Sequence, residues 1–132
     1  MQERNLRVLE FAKIRDRLAT FAVTELGKEM CSQLVPSGNI EEVQRMQAMT
    51  EEANTVIAYI GSSPVAWFTD VRAYLKLAEV GSTLSPKALL DIAESLRAAR
   101  SMRSSLVTDR ENTPHITALA SALCTKDRKS VV

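Results

Sequence analysis

Apolar residues recur every three or four positions along most of this chain, the period of an α-helix that packs by one face. Phe11, Ile14, Leu18 and Phe21 form the first such stripe and predict a helix over about residues 7–21. Thr24 stands where an N-cap belongs. It predicts a second helix through residue 34 with Val23, Leu26 and Met30 on its inner side. Gly27 falls inside that helix at a cost of up to ~1 kcal/mol relative to Ala, unless it lets another helix approach closely. Pro36, Ser37 and Gly38 end the element.

Asn39, with Glu42 three residues on, has the spacing of a capping box. The helix it opens carries Val43, Met46, Thr50, Ala53, Ile57 and Ile60 for about twenty residues, roughly 30 Å, and Gly61 stops it. Residues 62–69 read as a loop holding the aromatic pair Trp67 and Phe68. Asp70 is placed to cap a short helix from 71 to 80, closed by Gly81. Ser85 and Pro86 are the strongest local signal, an N-cap followed by proline at the first helical position. The helix they open is expected to reach about residue 106 on a stripe of Leu89, Ile92, Leu96 and Ala99. Arg103 takes the next place on that stripe, which suggests that the helix leaves its core there and projects outward. After an interruption at 108–114, Ile116, Leu119 and Leu123 mark a last amphipathic stretch beginning near His115. Residues 125–129 follow without a stop signal, so the sequence reads as a piece of a longer chain.

The fold class expected is all-α, a helical bundle with a long projecting helix. Composition agrees: of 132 residues only four are Gly and four Pro, too few for a many-turned β-sandwich. A hydrophobic fraction of 45% with 25% charged residues is that of a chain that can build a core. A net charge of +1 provides no global attraction to nucleic acid or to a membrane surface. No apolar run is long enough to span a bilayer, and the N-terminus has no signal-peptide pattern. Cys31 and Cys124, isolated and without CxxC spacing, read as reduced thiols in the cytosol.

Candidate chemistry is sparse. His115, the single histidine, has no local motif joining it to a serine or cysteine and reads as a surface side chain. One His and two distant Cys do not make a zinc site, and four scattered glycines do not make a phosphate loop. Glu51 and Glu52, like Glu41 and Glu42, point about 100° apart on a helix and read as solvent and dipole residues rather than an acid–base pair. No catalytic residue is assigned. Arg97, Arg100 and Arg103 fan over about a third of a helix circumference. They could grip phosphates, with a log–log salt slope near about −3, or an acidic partner, or lie with their stems along apolar neighbours. Trp67 and Phe68 either dock a partner or fold back over the helices.

A series of short segments runs through the chain in a fixed order. Leu9 to Ile14 (LEFAKI), Thr24 to Glu29 (TELGKE), Pro36-Ser37, Glu41 to Val43 and Thr50 to Ala53 (TEEA) come first. Asp70-Val71-Arg72, Leu84 to Ala93 (LSPKALLDIA) and Leu96 to Arg100 (LRAAR) complete it. This ordered set, over residues 6 to about 106, resembles the N-terminus of the MutS-two proteins, bacterial MutS paralogues that end in a small Smr nuclease domain. The resemblance implies a cytoplasmic, homodimeric, ATP-hydrolysing protein that binds branched DNA and restrains recombination. Some members of the family also act on stalled or collided ribosomes. Residues 1–132 would be the first part of the helical core that joins clamp to ATPase. The sites for ATP and Mg would then lie beyond residue 132, along with the KOW-like and Smr regions. Relatives tend to have a Gly-rich turn where this chain has Val65-Ala66-Trp67-Phe68. Three roles follow as expectations: a helical module that transmits nucleotide state, a nucleic-acid module using the three arginines, or a docking module using the aromatic pair.

Overall fold

A computed structural model describes residues 3–107 and 111–123 of the chain. Those residues form seven α-helices and, among the described residues, no strand: α1 Glu3–Val8, α2 Phe11–Phe21, α3 Glu25–Ser32, α4 Ile40–Ile60, α5 Arg72–Glu79, α6 Pro86–Leu106 and α7 Pro114–Ser121. The all-α class read from the periodicity holds. Cys124 and residues 125–129 lie outside the described residues, whereas Cys31 is a free, half-buried thiol.

The helix ends follow local chemistry. Thr24 Oγ1 accepts from Gly27 N at 3.0 Å, and Ser85 Oγ accepts from Ala88 N at 3.1 Å. Asn39 Oδ1 accepts from Glu41 N and Glu42 N, at 3.0 and 3.3 Å. The reciprocal half of that capping box is relayed. Glu42 accepts from the Ser37 hydroxyl, which in turn accepts from Asn39 N. Gly61 and Gly81 adopt φ of 83° and 78°, the left-handed region that glycine enters without a Cβ penalty. At Gly81 the chain closes with two bonds, Gly81 N to Ala78 O and Ser82 N to Leu77 O, the pairing of a Schellman stop.

Three local expectations are corrected. The first helix is two, because Glu10 sits at φ 54° and breaks the chain between α1 and α2. Asp70 does not occupy the cap position of α5, which Val71 takes, although its carboxylate accepts from Arg72 N and clasps the Arg72 guanidinium. A Cβ at Gly27 would meet Thr24 Oγ1 at 3.1 Å, so its lack of a side chain serves the cap rather than another helix.

The chain divides into two compact units, residues 1–47 and 48–132. In the first, α2 packs on α3 and α1 on α2. Arg15 lies over the Phe11 ring at 5.4 Å and donates to Leu34 O. In the second, α6 packs on α7, and the buried apolar residues are Val56, Ala88, Met102 and Ala120. The buried line of α6 therefore runs through Ala88, Asp91 and Met102, beside the predicted stripe rather than along it. Leu89 and Leu96 of that stripe stay exposed. Nor does α6 leave its core at Arg103. Met102 is buried, and the Arg103 guanidinium donates to Leu123 O at 3.3 Å, which ties the last turn of α6 to the chain just after α7.

Candidate functional site

The most tightly built polar site joins α4 to α7. Glu52 lies on the inner line of α4 one turn before Val56, and both are buried. Its Oε1 is 2.6 Å from His115 Nδ1, and its Oε2 accepts from Ile116 N at 2.9 Å. Ile116 is the third residue of α7, where a helix has backbone N–H groups with no partner of its own. Thr113 precedes this helix without a side-chain capping bond. A carboxylate from α4 thus performs the capping, at the positive end of the α7 dipole. Burial opposes ionisation of Glu52. The His115 hydrogen bond, the Ile116 amide and the charge on the His115 ring outweigh it and hold the carboxyl below its ordinary value.

Two readings made from sequence change here. Glu52 is a buried anchor rather than a solvent residue, and His115 is a half-exposed helical residue paired with it. The two stand 63 positions apart, so no local motif could reveal them. The available signal was Pro114, an N1 proline like Pro86, which opens α7 one residue earlier than the apolar stretch.

An apolar cavity of about 180 Å³ adjoins this clamp. Ala53, Val56 and Ile57 of α4, Pro64 and Val65 of the loop, Leu106 of α6, and Ile116 and Leu119 of α7 line it. The aromatic pair in the same loop separates: Trp67 remains 59% exposed and Phe68 is half-buried. A second buried carboxylate, Asp91, accepts from Tyr74 Oη at 3.0 Å and from Lys87 Nζ at 3.2 Å, tying α5 to α6. The Asp91 hydrogen bond raises the Lys87 pKa.

The arginine triad does not act as one group. Arg97 and Arg100 are exposed on α6, whereas Arg103 is half-buried and engaged with Leu123 O. Among the described residues no cluster of three His, Cys, Asp or Glu could hold a metal ion, and Gly61 and Gly81 stop helices rather than forming a phosphate loop. No described helix is long and apolar enough to cross a membrane.

Comparison with known proteins decides the family. The proteins named Endonuclease MutS2 from Bacillus thuringiensis (strain Al Hakam), Bacillus cereus (strain B4264) and Bacillus anthracis (strain A0248) are each 44% identical to the chain over 103 residues, 78% of its length. The chain is a MutS2-type segment. The matched residues span 13% of each of those relatives. No family model and no solved structure matches the chain.

Proposed function

We propose that this segment is a stiff helical transmission element of a MutS2-type protein, passing the nucleotide state of an ATPase region to the parts that hold DNA. The observation that carries this reading is the Glu52 clamp. One carboxylate pairs with His115 and caps α7, so α4 and α7 move as a linked body instead of sliding independently. ATP and Mg bind elsewhere in the parent polypeptide, as does the nuclease chemistry in the relatives' name. The parent acts as a homodimer on branched DNA and restrains recombination, or acts on collided ribosomes, in the cytoplasm.

The test is full-length protein with Glu52→Ala. ATP turnover without DNA should persist, while the change in turnover on adding branched DNA should largely disappear. A folded variant whose turnover responds to DNA like the parent removes the proposal.

A second reading rests on the exposure of Arg97 and Arg100. If each contacts one phosphate, replacing both with alanine should reduce the log–log salt slope of DNA binding by about 2.

A further inference from the structure

Within its own unit and among the described residues, α6 keeps a second face exposed. Leu89 is 56% exposed and Leu96 44% exposed. Seven residues apart, they lie within about 20° of one another around the helix, as along a coiled-coil seam. Exposed Arg100 falls about 20° to the side of Leu89, exposed Arg97 about 80° further than Leu89, and Ala93 between them. The carboxylates of α6, Asp91 and Glu94, lie roughly 140° or more away from both leucines. The face is therefore an apolar ridge with a basic border and no acidic residue.

We propose that this ridge docks an amphipathic helix whose apolar stripe is flanked by Asp or Glu, contributed by the remainder of the MutS2-type polypeptide. Apolar surface of this kind gains by burial at about 25 cal/mol per Å². That favours a protein partner over nucleic acid, whose phosphates would engage the arginines and leave both leucines in water. A second copy of α6 is disfavoured, because pairing this face with itself sets Arg97 and Arg100 against like charges. The occupant's source is argued from length: the matched region is 13% of the relatives, so most of their polypeptide lies outside it.

The experiment places p-benzoylphenylalanine at position 96 of the full-length protein, with irradiation and peptide mapping. The expected product joins position 96 to an acidic-flanked apolar segment of the same polypeptide. Arg97→Glu with Arg100→Glu should cut its yield at least ~5-fold, while the two Arg→Lys changes retain most of it. A cross-link to nucleic acid, to α6 of a second copy, to a segment without acidic residues, or to nothing overturns the proposal. None of these outcomes depends on whether ATP turnover responds to DNA, so the docking face and the transmission role fail separately.

Discussion

The carboxylate of Glu52 accepts from two donors on α7 while 8% exposed, so truncating it leaves the Ile116 amide without its acceptor and the half-exposed His115 ring without its partner. Hydrogen bonds to a charged group contribute about 1.5–3 kcal/mol. Glu52→Ala should accordingly speed amide exchange in the first turn of α7 by about tenfold or more, read by hydrogen exchange against unchanged α2 and α3. Glu52→Gln keeps an acceptor for Ile116 N and should cost less. The pH dependence has a definite sign. The folded carboxyl ionises more readily than in the unfolded chain, so its contribution is complete above the ordinary glutamate value, ~4.3. It is lost as the pH falls through the lowered folded value. Protection of α7, corrected for intrinsic exchange, should therefore decline in acid for the parent and stay flatter for Glu52→Gln. Equal acid sensitivity in both would show that Glu52 is not the titrating group.

Helix ends were written in the sequence because caps are local. Thr24, Asn39 and Ser85 each bond an amide two or three residues on, and Gly61 and Gly81 take a backbone region that few side chains tolerate. Ser85→Ala should destabilise α6 by about 1 kcal/mol. Gly81→Ala should cost about 1–2 kcal/mol through left-handed strain, although a Cβ there meets nothing within 4 Å. Exchange at the α6 and α5 termini measures both, and a silent Gly81→Ala would mean that the turn relaxes out of its positive φ. The break at Glu10 was not legible, since a non-glycine residue at φ 54° has no sequence marker. Nor was the buried side of the long helices. In α4 the inner line passes through Glu52 and Val56, not through Ile57, which remains 44% exposed. Periodicity shows that a helix has an apolar face, but a helix apolar on more than one side takes its buried face from its partner. On α4 that face includes a carboxylate whose partner is 63 residues distant. The apolar positions of α6 likewise split between Met102, which is buried, and Leu89 and Leu96, which stay exposed.

At the scale of the whole molecule, Arg97 and Arg100 are claimed by two partners, phosphates or an acidic helix, and only one can hold them. A phosphate contact releases counterions and appears in the salt dependence of DNA binding, about 0.9 in slope for each charge neutralised. An acidic helix packed on Leu89 and Leu96 would already occupy the guanidinium groups in the free protein, so DNA would release nothing there. The apolar ridge beside the arginines decides between them, because it gains only from a partner that brings apolar surface of its own. Full-length Arg97→Ala with Arg100→Ala should therefore bind branched DNA with a salt slope within about 0.5 of the parent's. The same pair of changes should loosen α6, read as faster exchange along its Leu89–Leu96 side. A slope reduced by nearly 2 with α6 exchange unchanged would assign the arginines to phosphate and leave the leucine ridge without an acidic partner.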